Sequence, residues 1–375
     1  MMRVGIDATL HGARTTGAGE YQRQLLRTLP TAAPDLRMVV YTARHAHHTP
    51  TAGLDVREMP WGPGERIRRI VQGSLAWRRR WREDDLDLFH VPFYYLPPGA
   101  PPRTVVTIYD ARFLRYPETY PRARAAFLRA AVPWSLRRAS HIITISAFTK
   151  SELVELLGID PARITVTLLA PRPEFLEVLD PNVGGKIRAK YCLPSRFILS
   201  TSTLEPRKNL TRLVEAYANL RAQGLPHHLV LAGVRYFDTG DLERSIVRHG
   251  LSEVVHLLGY VDDADMPSLY SLADTFAYPS LYEGFGIPPL EAMACGTPVV
   301  ASSATSIPEV VGEAACLIDP LDVDSLSAGL GRVLTDIPYS ASLKAAGHER
   351  ARHFTWERTA RETADTYRRV LGQVG

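Results

Sequence analysis

The sequence predicts an α/β protein built from two doubly wound parallel sheets. Short apolar runs alternate with longer amphipathic stretches along all 375 residues, the pattern of parallel strands covered on both faces by helices. The runs fall into two sets of about six, separated by a proline-rich and then glycine-rich segment from Pro171 to Gly185. A chain of this length is also too long for one comfortable core and suits two domains. The expected domains are residues 1–175 and 186–355, with a helix over 356–375 packing back on the first.

In the first half the strand candidates are 3–6, 38–41, 86–91, 104–109, 141–146 and 164–169, and the helices 20–29, 122–138 and 147–157. The first strand is too short for a signal peptide and is broken by Asp7. After it, Thr16-Gly17-Ala18-Gly19-Glu20-Tyr21 opens a helix. Gly17 and Gly19 either let backbone N–H groups approach a ligand closely or form a merely flexible turn. The segment is not GxGxxG, so a nicotinamide site is poorly supported. Glu65 to Arg82 carries seven arginines with Ile67, Ile70, Val71, Leu75, Trp77 and Trp81. Such a helix either lies on an anionic membrane or is a surface helix with solvated arginines. In the second half the strands are 197–203, 228–233, 254–258, 275–279, 297–301 and 315–318, and the helices 209–222, 264–272 and 321–335. The last helix, about 356–371, repeats Ala360, Ala364, Tyr367, Val370 and Leu371 on one face.

Composition excludes several classes. With 45% hydrophobic and 22% charged residues the chain reads as soluble and globular. A net charge of +4, with no aromatic–basic RNA motif, gives no case for nucleic acid. Cys192, Cys295 and Cys316 are odd in number and widely spaced, which fits a reducing compartment and no zinc site. No run approaches the length of a membrane span. A cytoplasmic protein is expected.

The chemistry gathers in the second half. Tyr282-Glu283-Gly284-Phe285-Gly286-Ile287-Pro288-Pro289-Leu290-Glu291 sets two carboxylates eight positions apart around a glycine bend and two prolines. Proline is tolerated at a first helical position, so a helix should begin there. Glu283 and Glu291 can then approach opposite ends of one small ligand at a helix N-terminus, where orphan N–H groups favour phosphate. Gly296 ends that helix, and Thr297 to Ala301 reads as the next buried strand. Upstream, Thr201 to Leu210 carries Arg207 and Lys208 in a loop, with Asn209 as a good helix N-cap. Only five of the 44 basic residues are lysine, which makes Lys208 more noticeable. A guanidinium and an ammonium beside a helix N-terminus suit a pyrophosphate.

These residues resemble family 4 retaining glycosyltransferases with the GT-B fold. Besides Glu283 to Glu291, the resemblance rests on Glu205-Pro206-Arg207-Lys208-Asn209, the Gly17/Gly19 loop and Ser306-Ile307-Pro308-Glu309-Val310-Val311-Gly312. It extends to Val105 to Asp110, Ile145 to Thr149 and Phe354 to Arg358, nearly the whole chain. It implies two Rossmann-like domains facing across a cleft, with a nucleotide-diphosphate sugar (UDP-, GDP- or ADP-linked) as donor and no resident cofactor or metal. Glu291 would bind the ribose hydroxyls, and Glu283 with the backbone of Gly284, Phe285 and Gly286 the sugar hydroxyls. Arg207 and Lys208 would bind the diphosphate. Gly259, Tyr260 and Val261 would flank the base, and Leu290 belongs to the same segment. The acceptor would be a glycan or a lipid-linked or small-molecule acceptor, reached in some relatives at an anionic membrane; no nucleic-acid partner is expected.

The resemblance also implies retention of anomeric configuration by front-face attack, in which the leaving phosphate takes the acceptor's proton. Glu283 as a covalent nucleophile is the alternative. The chain departs from its relatives at Tyr109, where many carry histidine, at Ser202, where an arginine is frequent, and at Ala170-Pro171-Arg172, which replaces an Asn-Gly-Val segment. Tyr109 can bond a sugar hydroxyl, and Asp110 and His90 are further cleft candidates. Asp262-Asp263 is read as a helix cap. Two other functions remain open: a pyridoxal-phosphate glycoside phosphorylase using Lys208, and a sugar-nucleotide-binding subunit without turnover.

Overall fold

The computed structural model describes residues 2–9, 17–44, 54–61, 66–97, 99–177, 183–235 and 240–372, without the side chains of 66–72 and 74. Thr16 and Glu65, and the side chains of Arg66, Ile67, Arg68, Arg69, Ile70 and Val71, therefore lie outside the described residues. The chain divides into two compact units, residues 1–169 with 355–375, and residues 170–354.

The first unit carries strands β1 (Met2–Asp7), β2 (Leu36–Thr42), β3 (Leu54–Glu58), β4 (Leu88–Val91), β5 (Thr104–Ile108), β6 (His141–Thr144) and β7 (Ile164–Val166). They form one sheet in the order β3-β2-β1-β4-β5-β6-β7, and every pairing is parallel. Its helices are α1 (Gly17–Ala32), α2 (Arg66–Glu83), α3 (Arg112–Arg115), α4 (Arg122–Arg138) and α5 (Ala147–Leu157). The central strands β4, β5 and β6 are buried along their whole length, which is why they read as continuous apolar runs. Strand β3 escaped the sequence reading. It is a half-exposed edge strand, Leu-Asp-Val-Arg-Glu, with no apolar run to betray it.

In α2 the two tryptophans face inward. Trp77 is 2% exposed and packs on Tyr41, Trp61 and Phe89, and Trp81 packs against the same cluster. The outer face shows Leu75, Arg78, Arg79 and Arg82. The aromatic half of the pattern that suggests a membrane helix is thus core, because amphipathic spacing groups residues on a face without saying what the face meets.

The second unit holds α6 (Val183–Lys190), β8 (Phe197–Thr201), α7 (Leu210–Ala222), β9 (His228–Ala232), α8 (Gly240–Arg248), β10 (Val255–Gly259), α9 (Met266–Ser271) and β11 (Thr275–Tyr278). Then follow α10 (Ile287–Ala294), β12 (Val299–Ser302), α11 (Ile307–Val311), β13 (Cys316–Ile318), α12 (Val323–Thr335) and α13 (Ile337–Arg352). Its sheet, in the order β10-β9-β8-β11-β12-β13, is again all parallel. This unit begins at Ala170, at the head of the expected Pro171 to Gly185 seam and before the expected domain end at residue 175, because Arg172 and Phe175 are already engaged in it. Phe175 packs edge-on against Tyr270, with ring centroids 5.6 Å apart.

The last helix, α14 (Trp356–Val370), belongs to the first unit. Thr355 caps it, accepting the Arg358 N–H. Thr359 Oγ1 donates to Leu168 O at 2.6 Å, and Tyr367 OH meets His90 Nδ1 at 2.7 Å. His90 Nε2 is 2.8 Å from Thr107 Oγ1. Burial pushes this imidazole down to about 3, so it is neutral. His90 is therefore not a cleft residue but a fully buried clamp between β4, β5 and α14. Among the described residues no helix is long and apolar enough to cross a membrane.

Candidate active site

The site follows from strand order. In the second sheet β8 and β11 are neighbours, yet β8 leads on to β9 on one side and β11 to β12 on the other. The loops leaving their C-terminal ends diverge and open a crevice, the place where doubly wound sheets bind ligands. Strand β8 delivers the loop 202–209, and β11 the loop 279–286.

The two loops are tied together. Leu281 N–H donates to Arg207 O at 2.8 Å. Asn209 Nδ2 donates to Pro279 O at 3.1 Å and to Pro320 O at 2.6 Å. Asn209 thus occupies the N-cap position of α7 without a side-chain cap bond. The expected cap is absent because the residue is left-handed, with φ 61°, a conformation that asparagine tolerates, and its Oδ1 accepts from Arg212 Nη1 at 2.9 Å while Nδ2 staples the neighbouring loops.

Around this staple sits a buried ionic cluster. Lys208 Nζ donates to Glu283 Oε1 at 2.6 Å and to Tyr278 OH at 3.0 Å. Arg207 Nη1 lies 2.8 Å from the same Glu283 Oε1 and donates to Tyr282 O at 3.1 Å. Arg207 Nη2 lies 2.6 Å from Glu205 Oε1. The side chains of Lys208 and Glu283 are 8% and 11% exposed. Burial alone would raise the Glu283 carboxyl, but Arg207 and Lys208 outweigh it and hold it at about 2. Burial, helped by the Arg207 charge, brings Lys208 down to about 8 against the pull of Glu283. The cluster therefore keeps two cations and two carboxylates fixed in a dry place, where charge acts strongly.

The Ser306 segment holds this loop from behind. Glu283 N–H donates to Thr305 Oγ1 at 3.1 Å, and Ser306 Oγ lies 2.9 Å from both Glu283 O and Phe285 O, which share its one proton. Gly286 turns the chain into α10 with φ 106°, and a Cβ there would sit 2.6 Å from Ile307 Cδ1, so the turn requires glycine. Pro288 and Pro289 fall in the first turn of α10. The helix ends with Gly296 N–H on Met293 O and Thr297 N–H on Ala292 O, a Schellman pattern.

Glu291 lies on α10 and is 4% exposed. Its Oε1 accepts from Arg172 Nε at 2.7 Å, and Arg172 Nη1 reaches Asp263 Oδ1 at 3.0 Å. Asp262 and Asp263 make no side-chain cap bond, against the capping expectation. Each is drawn to a cation instead, Asp262 to Lys190 at 2.6 Å and Asp263 to Arg172. Among the other expected ligand contacts, Gly259 has φ 69°, Tyr260 is 64% exposed and Val261 is buried. Phe285 packs on Phe354, and Leu290 is core, which leaves backbone as what Gly284 to Gly286 can offer.

Gly17, Gly19, Tyr109 and Asp110 belong to the first unit. Gly17 is exposed and opens α1; Gly19 is buried. Tyr109 follows β5, and its hydroxyl donates to Pro92 O at 2.7 Å. The same carbonyl accepts from Gln22 Nε2 of α1 at 3.0 Å. What the Tyr109 oxygen has left is acceptor capacity. Asp110 Oδ1 accepts from Arg112 N–H at 3.1 Å and starts α3.

Sequence reasoning gave no role to Glu205, Tyr278, Thr305 or Arg172. Glu205 lay inside a quoted motif and could have been found beside Arg207. Arg172 could not, since it meets Glu291 across 119 positions of sequence.

Comparisons with known proteins bear on the fold and the family. The family described as Glycosyltransferase Family 4 matches residues 15–167, and Glycosyl transferases group 1 matches residues 186–350. The fold resembles that of sucrose-phosphate synthase from Thermosynechococcus elongatus, with a TM-score of 0.77 at 20% identity over 99% of this chain and 100% of that one. Two Rossmann-like units of this kind define the GT-B fold. The O-antigen chain mannosyltransferase B of Escherichia coli is 37% identical over 306 residues, 81% of this chain and 79% of that one. The GDP-mannose-dependent alpha-(1-6)-phosphatidylinositol monomannoside mannosyltransferase of Mycolicibacterium smegmatis is 32% identical over 179 residues, 45% of this chain and 46% of that one. The chain belongs to glycosyltransferase family 4, and it is a glycosyltransferase.

Proposed function

We propose that this glycosyltransferase moves a mannosyl residue from GDP-mannose to a growing glycan, with retention and without a metal. The observation that carries the reading is the pair of cations, Arg207 half-buried and Lys208 buried, fixed by Glu283 at the β8/β11 switch point. Breaking a glycosyl–phosphate bond puts positive character on the sugar and negative charge on the diphosphate. Preorganised cations favour that state over the ground state. The names of the two mannosyltransferase relatives support the sugar, and the GDP-mannose-dependent one supports the base.

Retention is read as front-face attack. The C1–phosphate bond breaks, the acceptor oxygen bonds to C1 on the same face, and the acceptor's proton goes to the leaving phosphate oxygen. Glu283 suits charge stabilisation better than nucleophilic attack, because two cations already hold its carboxylate and make it a weak base. A lipid-linked glycan, met at the inner face of an anionic membrane by the Arg78, Arg79 and Arg82 face of α2, is the acceptor form that this reading includes.

Thermal stabilisation tests the donor. A ligand that binds only the native state raises Tm in proportion to its affinity. In EDTA, GDP should raise Tm while UDP, ADP and dTDP leave it nearly unchanged. Stabilisation by UDP alone would overturn the donor, and silence from all four would overturn a nucleoside-diphosphate donor.

The Lys208 ammonium also sets a pH limit. It carries its charge near neutrality and loses it through about pH 8, so kcat/KM should fall on the alkaline side with a midpoint near that value. Stability responds with the opposite sign. The group is depressed from 10.5 to about 8, so the unfolded chain binds the proton through that window and this contribution to stability rises with pH there. A kcat/KM profile flat to pH 10 would remove Lys208 from the diphosphate.

A further inference from the structure

We propose that Arg172 is a positioning residue of the donor site, holding Glu291 for the ribose and tying it to the loop that follows β10. The inference rests on the reading above, in which Glu291 receives the ribose hydroxyls. It goes beyond that reading because it assigns a role to a side chain that the reading leaves without one.

The geometry has three parts. Arg172 is planar and forked, and its Nε and Nη1 address two different carboxylates, Glu291 at 2.7 Å and Asp263 at 3.0 Å. Its side chain is 13% exposed and the Glu291 side chain 6%, so their bond is made in a dry place. The guanidinium also lies over the Phe175 ring, 4.5 Å from its centroid, which fixes its plane. One rigid group therefore joins the first turns of α10, the chain entering the second unit and the segment after β10, where the base is expected beside Gly259 to Val261. A carboxylate that must accept two hydroxyls gains from having its other lone pairs occupied and its rotamer set before the ligand arrives. Asp263 is the exposed end of the tie, at 56%, so it can be altered with little risk to folding.

The test is titration of the full chain with GDP and 2′,3′-dideoxy-GDP in EDTA, with UDP and its dideoxy form as the second pair. Wild type should prefer the ribose form by about tenfold or more, the scale of hydrogen bonds to a charged group. Glu291→Gln should collapse that ratio. Arg172→Ala should collapse it too although the carboxylate is intact, Arg172→Lys should restore part of it, and Arg172→Ala/Glu291→Gln should be no worse than Glu291→Gln alone. Asp263→Asn should lower the ratio by about two- to threefold, a weaker effect because the group is exposed. A merely structural role would weaken both ligands equally and leave the ratio in place. If Glu291→Gln collapses the ratio and Arg172→Ala and Asp263→Asn do not, the proposal fails and the ribose reading stands. If wild type shows no preference, or Glu291→Gln keeps it, the ribose reading fails and takes the proposal with it.

Discussion

Replacing Lys208 by alanine lowers kcat/KM by roughly a hundred- to a thousandfold, the cost of removing one preorganised group that meets developing charge. Three facts make this residue hard to replace. Its ammonium is buried, so water cannot stand in for it. Its Nζ is fixed by Glu283 and Tyr278, so it loses little freedom when the phosphate arrives. Its neighbour Arg207 is already engaged by Glu205, Glu283 and the Tyr282 carbonyl, and cannot swing to cover two phosphates. Lys208→Arg should not rescue, because a planar fork does not fit the place of a point charge. The loss should fall on both kcat and KM, since the cation meets ground-state diphosphate as well as the charge that develops. The alkaline limb near pH 8 should vanish in the residual activity, which separates loss of this titration from general damage. An alanine variant of near wild-type kcat/KM would end the assignment.

Much of the fold was legible because parallel strands buried on both faces leave uninterrupted apolar runs, and glycine and proline punctuate them. Helices α4 and α5 fall on the expected residues. Strand β3 and helix α13 did not announce themselves. The first is a charged edge strand. The second buries only Leu343, Gly347 and Ala351 and has almost no apolar stripe. At the site, Arg207, Lys208 and Glu283 come together although they lie on two loops 75 positions apart; the sequence brought them together only through the resemblance. The match of Arg172 to Glu291 could not be read, because periodicity gives faces, whereas that pairing depends on how loops are stacked. The same limit explains Asn209 and Asp262. Each has the residue type of a cap and the position of one, yet its side chain reaches partners on other elements, Pro279 and Pro320 for Asn209 and Lys190 for Asp262.

Glu283→Gln keeps the shape of the cluster and removes one charge, and it should lower kcat by about a hundredfold or more while nucleoside-diphosphate affinity changes little. The amide oxygen can still accept from Lys208, so the loop should hold. What is lost is the negative charge facing the positive character that builds on the sugar. Two mechanisms then part. In front-face transfer the variant is slow but its product keeps the donor's configuration, and added azide does nothing useful. In a two-step displacement no glycosyl–enzyme can form, turnover stops, and azide yields an inverted glycosyl azide. Stability gives an independent check. The carboxyl is depressed from 4.5 to about 2, so its contribution is complete above pH 4.5 and is lost as pH falls through about 2. Wild type should therefore be the more stable protein at pH 7, and the gap to Glu283→Gln should narrow as the solution is acidified. A gap that stays constant from pH 7 to pH 2 would mean that Arg207 and Lys208 do not hold this carboxylate in solution, and the charge argument for its role would go with it.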